Sequence, residues 1–543
     1  MFSGGSLSKF IFVTGGVLSS LGKGMFASSI TKLLKSCGVK ASCMKIDPYL
    51  NCDAGTLNPF EHGEVFVTQD GFECDLDVGN YERFCNEFAV REQNLMMGSV
   101  YKAVIDKERK GEYLGKTIQL IPHATNQIKH CIRSAAKTVG ADVLVVEIGG
   151  TVGDMESDVV LEAARQMNFE EPPQAVTFIH LALVPKITTG EMKTKPMQHS
   201  VKALLGRGIT PNFLVARSDE PISAVLREKI ALFCNVREEN VFCSPNLDTV
   251  YAIPMELEKQ KVHEALAERI GFKLNERDMK EWVKLVDKLE DLKKKGPNVK
   301  IGVIGKYATA KDAYMSVFEA ITHAGVHCGV YAEGFLVDSE AVEKGKIDLT
   351  QYDGLLVPGG FGGRGVEGKI SAIKYARESG VPYLGVCYGM QLAVIEVARH
   401  VAGLEGANTT ENEPEVKHPV IDILPEQKSV QEKGGTMRLG AKWVEIKKDT
   451  KAFELYGEEK VFKRFRHRYE VNPEYVDRLE AAGIVFSGMW PKEKIMKVME
   501  LKDHPYFVGV QYHPEFDSRL ETPEPVYYGL VKASAQRAEK AKK

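Results

Sequence analysis

At 543 residues the chain exceeds what one hydrophobic core sustains, which predicts two to four domains. Its 44% hydrophobic and 27% charged residues are an ordinary globular balance, and 71 basic against 74 acidic side chains (net charge −3) exclude a nucleic-acid-coating surface while leaving room for a local basic pocket. The ten cysteines lack paired CxxC spacing, which excludes a zinc ribbon or disulfide framework and indicates a reducing cytosol.

The chain opens MFSGGS and continues KFIFVTGG, a strand (10–14) entering a loop rather than a charged-then-apolar signal. The longest apolar runs, VLVV and IHLALV, fall far short of the ~18 residues needed to cross a bilayer, so a cytoplasmic location without membrane partners is expected. The loop TGGVLSSLGKG (14–24) has the spacing of a phosphate loop but lacks the usual Ser or Thr after the lysine: Gly22-Lys23 is followed by Gly24. A helix follows, with Ile30, Leu33 and Leu34 on one side. Strand, loop and helix are the context in which backbone N–H groups face an anion and Lys23 meets phosphates as a point charge. With no hydroxyl after Lys23, a metal must find carboxylates elsewhere. DGFECDLDVGNYERF offers Asp75 and Asp77 on alternate positions, and the strand Val143–Ile148 ends near Glu147, where α/β ligands collect. Further on come a strand at Val176–Leu183 and KTKPMQ (193–198), a compact cationic segment able to clamp phosphates, although lysine pairs are commonly solvated surface.

MKEWVKLVDKLEDLKKKGPN places Trp282, Val286, Leu289 and Leu292 at helical spacing and ends on a Lys run and Gly-Pro-Asn, an amphipathic helix with a stop signal. New strands are expected at 299–304, Gly354–Val357 and 382–386, giving a second α/β domain with loops at strand ends. In PYLGVCYGMQ, Gly385 and Gly389 flank Cys387 as a nucleophile elbow, and the following helix N-terminus favours thiolate. GVQYHPEF supplies His513 and Glu515 as a base and its orienting group, LLVPGGFGGRG offers bare N–H groups for an oxyanion hole, and RFRHRYEV offers Arg468 to clamp a carboxylate. The tail KASAQRAEKAKK reads as a fraying helix end.

TGGVLSSLGKG, KIDPYLN, HGEVFV, DLDVGNYERF, VEIGGTVGD and GEMKTKPMQHSV resemble the synthetase domain of the CTP synthase family, and the Cys387 constellation resembles a class I glutamine amidotransferase. The resemblance implies a dethiobiotin-synthetase-like phosphate-loop domain (1–272), a linker helix (273–298) and an amidotransferase domain (299–543), both domains α/β with parallel sheets. It implies that ATP phosphorylates O4 of UTP and that ammonia released from glutamine displaces the phosphate. By the same resemblance, Ser20, Leu21, Gly22, Lys23, Gly24 and Met25 wrap ATP phosphates. Backbone at Pro245, Asn246 and Leu247 lines the adenine pocket, Asp77 contacts ATP, and Asp77 with Glu147 holds Mg²⁺.

Ser19, Asp154, Met155 and Glu156 belong to the implied UTP/CTP pocket, with Lys193, Thr194, Lys195, Pro196, Met197, Gln198 and Lys229 on the triphosphate. Cys387, His513 and Glu515 are the implied glutaminase triad. Gly360, Tyr388, Gly389, Met390, Gln391, Glu411 and Arg468 hold glutamine, and His62, Val65 and Leu114 mark the ammonia passage. GTP activation, CTP feedback inhibition and a homotetramer that stacks into filaments are family expectations. Two rivals stand beside this reading. One is an ATP-dependent amidotransferase acting on another acceptor; the other is a structural protein with vestigial sites, against which the intact reactive residues argue.

Overall fold

The computed structural model describes residues 8–307, 309–423, 437–492 and 494–542. The MFSGGS extension lies outside the described residues. The chain forms two compact units: the first runs to Ala54 and resumes at Asp77–Val286, and the second joins Gly55–Leu76 to the chain from Asp287 onward. A stretch that contiguous domain boundaries would leave in the N-terminal half is thus part of the second unit.

The first unit is built on a seven-stranded, wholly parallel sheet. Its order is Asn94–Met96, Ala41–Asp47, Val143–Ile148, Lys9–Gly16, Val176–Leu183, Phe213–Ser218 and Val241–Pro245. The central strands are continuous runs of β-branched and aromatic residues buried on both faces, as parallel sheets covered by helices require. The helix Lys23–Ser36 leaves the loop after the central strand and buries Ile30, Leu33 and Leu34. The helix Lys280–Lys295 forms as its spacing predicts. Trp282, Val286 and Leu289 are buried, and the Trp282 indole N–H donates to the carbonyl of Tyr251 at 3.0 Å.

The second unit carries a nine-stranded sheet ordered Tyr331–Asp338, Asn298–Gly305, Gly354–Val357, Tyr383–Val386, Phe507–Val510, Ile495–Leu501, Ile484–Trp490, Arg438–Ile446 and Lys460–His467. Its first five strands are parallel and the remaining pairings antiparallel, so this sheet is mixed beyond its parallel half. A three-stranded sheet and the short hairpin Phe66–Val67/Glu73–Cys74 complete the unit. The C-terminal segment is helical over Pro525–Lys542. Among the described residues no helix is long and apolar enough to cross a membrane.

Candidate functional site

In the first unit the loop after the central strand turns back on itself through left-handed backbone at Val17 (φ 81°), Ser20 (φ 57°) and Gly22 (φ 92°). A β-branched residue at positive φ is costly, and such outliers persist where surrounding structure holds them. Gly22 caps the helix without a side-chain hydrogen bond, so the first helical N–H groups remain open to an anion. Lys23 is buried and donates from Nζ to the carbonyl of Gly150 at 2.9 Å. Burial lowers its pKa, opposed chiefly by Glu147. The loop after Val143–Ile148 is drawn to the phosphate loop by Val152 N–H donating to Gly15 O at 2.8 Å.

The structure brings together Asp77 and Glu147, and joins to them a residue the sequence reading gave no role. Lys45, on the neighbouring strand, ion-pairs with Asp77 Oδ2, with Glu147 Oε1 at 3.1 Å and with Asp47 Oδ1 at 3.9 Å. Tyr81 donates to Glu147 Oε2, and Asn80 donates to Asp77 Oδ1 at 3.2 Å. Burial raises Glu147 to about 7, with Asp77 adding to the effect. Burial pushes Asp77 up as well, but the Lys45 charge overrides it and the net shift is downward. Two carboxylates converging on one cation fit a Mg²⁺ site that phosphate oxygens and water would complete. Among the described residues no cluster of three or more His, Cys, Asp or Glu forms a cage by itself. Asp77 rather than Asp75 is the member of this cluster.

Residues expected around the bases and triphosphate lie at strand ends and helix starts. Thr194 caps the helix Lys195–Gly206, with Pro196 in its first turn. Met197 and Gln198 are buried, and Gln198 donates to Thr194 Oγ1 at 3.0 Å. Lys193 pairs with Glu191 at 2.6 Å; Lys193, followed by the weaker charge of Lys229, lowers the pKa of Glu191, which places the two lysines near one carboxylate. Ser19, Asp154, Met155 and Glu156 are exposed, and Asp154 Oδ2 accepts from Thr151 N–H at 3.2 Å. Pro245 ends a strand, and Asn246 accepts from Arg217 at 2.6 Å and donates to Asp219 at 3.0 Å. Leu247 is exposed. Leu114 is 90% exposed at φ 53° in the first unit, whereas His62 and Val65 belong to the second.

In the second unit Cys387 stands between the strand Tyr383–Val386 and the helix Tyr388–His400, at φ 51° and ψ −101°. The elbow needs its glycine: a Cβ on Gly389 would overlap the carbonyl oxygen of Val357. Cys387 Sγ contacts the carbonyl of Arg466 at 3.7 Å and receives Gln511 Nε2 at 3.6 Å. His513 Nδ1 and Glu515 Oε1 are 2.8 Å apart. Burial, the largest influence on His513, disfavours its charge, yet Glu515 and then Cys387 outweigh it and raise the ring to about 10. Its Nε2 is buried, and Cys387 acts on the ring both through its charge and through a side-chain hydrogen bond.

Cys387, His513 and Glu515 line a cavity of about 700 Å³ together with Gly360, Glu411 and Arg468. Val65 and Glu64 line the same cavity; His62 does not. Glu411 accepts from Gly362 N–H at 2.8 Å and is raised by burial. Tyr388, Met390 and Gln391 are buried: Met390 is fully buried, Gln391 donates to Tyr469 O, and Tyr388 accepts from Asn412. Their side chains do not line the cavity. Arg466, Glu64 and Lys306, which do, carried no local signal in the sequence.

Two family profiles match the chain: "CTP synthase N-terminus" over residues 9–272 and "Glutamine amidotransferase class-I" over residues 309–533. A protein named CTP synthase from Caldanaerobacter subterraneus is 51% identical over 97% of this chain and 98% of its own length. CTP synthases from Thermococcus gammatolerans and Methanocaldococcus jannaschii are each 50% identical, covering 98% and 97% of this chain and 99% and 98% of their own lengths.

Proposed function

The chain belongs to the CTP synthase family, and from that premise we propose which residues carry each half of its reaction. It is a glutamine-hydrolysing ligase of pyrimidine nucleotide synthesis that forms CTP from UTP with ATP as co-substrate. In the proposed synthetase half, O4 of UTP attacks the γ-phosphorus of ATP and ADP departs. Ammonia then adds at C4 and phosphate leaves, because a phosphorylated oxygen is a far better leaving group than a uracil carbonyl oxygen. Lys23 and the backbone of residues 20–25 hold the phosphates, Lys45 balances the two acids, and Lys193, Lys195 and Lys229 bind the UTP triphosphate. Asp77 and Glu147 would hold Mg²⁺, which neutralises charge on the transferring phosphoryl group.

In the glutaminase half the Cys387 sulfur bonds to the side-chain amide carbon as the C–N bond breaks, and the proton carried by His513 leaves with the nitrogen. Water then releases glutamate from the thioester. N–H groups of the Gly359–Gly360 loop face the developing oxyanion, while Arg468 and Glu411 fix the amino-acid end of glutamine. Ammonia must travel unprotonated, and His62, Val65 and Leu114 are proposed to border its path. We further propose the domain limits 1–272, 273–298 and 299–543 along the sequence, with residues 55–76 built into the second unit, a cytoplasmic location, a homotetramer able to stack into filaments, activation by GTP and feedback inhibition by CTP.

The observation that carries this reading is the strained Cys387 elbow beside the His513–Glu515 pair in one cavity with Arg468 and Glu411. The test is UTP-to-CTP conversion with glutamine against ammonia. Glutamine and ammonia should both support turnover, and failure of both with ATP and UTP present overturns the assignment.

A further inference from the structure

The hairpin Phe66–Val67/Glu73–Cys74 falls within the stretch matched by the N-terminal profile, yet it is built into the amidotransferase unit. Ala441 N–H donates to Gln69 O at 2.8 Å, and Arg464 Nη1 donates to Val67 O at 2.9 Å. Two lines of contact run from this hairpin to the reacting groups. On one, Glu73, 2% exposed, accepts from Arg466 Nε at 2.8 Å, while Arg466 Nη2 donates to Gly55 O at 3.4 Å. The backbone carbonyl of the same Arg466 meets Cys387 Sγ at 3.7 Å, and its guanidinium lies 5.2 Å over the ring of Phe361, next to Gly360. On the other, Phe66 packs against Phe516 at 4.8 Å between ring centroids, and Phe516 stacks on the His513 imidazole at 5.1 Å and 12°.

We propose that this hairpin is a working part of the glutaminase centre, and that Arg466, held by Glu73, is the positioning residue that fixes the Cys387 sulfur against its base. The inference rests on the glutaminase reading above. A buried carboxylate demands a cation, and a planar guanidinium can serve Glu73, Gly55 O and the Phe361 face together, where an ammonium serves as a single point charge. The strand that carries Arg466 is thereby fixed in register, and with it the carbonyl that borders the sulfur and limits where it can sit. Glutamine itself is held by other groups, so loss of this pair should alter turnover rather than binding.

The experiment uses the full chain with Arg466→Met, Arg466→Lys and Glu73→Gln, comparing steady-state CTP formation from glutamine and from ammonia. Arg466→Met should lower kcat with glutamine about 30-fold while the glutamine KM shifts less than about threefold and the ammonia-dependent rate stays within about twofold. Arg466→Lys should recover to within about tenfold of the parent kcat, and adding Glu73→Gln to Arg466→Met should cost no more than about a further twofold, because both act on one contact. Alkylation of the Cys387 peptide by iodoacetamide, followed by mass spectrometry, should slow in the same order. Unchanged kcat with glutamine, a KM effect with kcat retained, or equal loss from both nitrogen sources overturns the proposal. A Cys387→Ala control separates the two readings: if it still uses glutamine, the glutaminase assignment itself has failed.

Discussion

Gly24 and Asp77 exclude one another's side chains: a Cβ on Gly24 would overlap Asp77 Oδ1. The residue after the phosphate-loop lysine is therefore bare because a carboxylate from the helix Leu76–Cys85 occupies the space where other phosphate loops place a hydroxyl. Gly24→Ser should displace Asp77 and reduce CTP formation from either nitrogen source about 100-fold or more. Steady-state rates with glutamine and with ammonia check this; a variant near parental rates means that Asp77 does not need its present place.

Asp77→Asn and Glu147→Gln each remove a formal charge from the proposed Mg²⁺ site. Both should eliminate synthesis with glutamine and with ammonia alike, since phosphoryl transfer needs metal and lysine to neutralise developing charge. Near-normal ammonia-dependent turnover in both variants would put the metal elsewhere.

Glu147 also makes a prediction about stability. Its folded pKa, raised by burial to about 7, lies above the ordinary carboxylate value of 4.5. The folded state then holds a proton that the unfolded chain has lost, so this group's contribution is fully present below 4.5 and disappears as pH rises through about 7. Ligand-free Glu147→Gln should melt above the parent protein at pH 8, with the difference narrowing below pH 4.5. Thermal unfolding across that range decides it, and a constant difference rejects the assignment.

Cys387→Ala should abolish glutamine-dependent CTP formation and leave ammonia-dependent formation largely intact, because the sulfur acts only in glutamine hydrolysis. Equal loss of both, in folded protein, would contradict a two-site enzyme.

Glu156→Lys should relieve CTP inhibition more than it impairs UTP use. Glu156 is exposed in the loop between Val143–Ile148 and the helix that follows. Uracil presents a carbonyl at position 4 and cytosine an amine donor, so a carboxylate favours the product. Losing such a contact costs about tenfold in binding. Inhibition constants for CTP and Michaelis constants for UTP, measured with ammonia, distinguish this from a Lys193 change, which should weaken both nucleotides.

What could be read from the sequence was what repeats locally. The strands Val143–Ile148, Val176–Leu183 and Gly354–Val357 form as their apolar runs predict, and the glycines around Cys387 announce the elbow. Side chains whose meaning comes from distant partners could not be read that way. Lys45 sits in a strand that reads as ordinary, and only the fold brings it between Asp77 and Glu147. Met197 and Gln198 fall in a cationic segment, but helical geometry from Lys195 turns them inward. Arg466 is one of several basic residues in RFRHRYEV, and its partner Glu73 lies 393 positions earlier.

That separation sets an order of events at the ribosome. The hairpin Phe66–Val67/Glu73–Cys74 emerges early, but the strand Lys460–His467 that receives it is among the last made. At translation rates of about 5 to 20 residues per second, 393 positions correspond to a wait of about 20 to 80 seconds. Through that interval the buried Glu73 and Phe66 lack the partners they have in the finished fold, since Arg464, Arg466 and Phe516 are all made later.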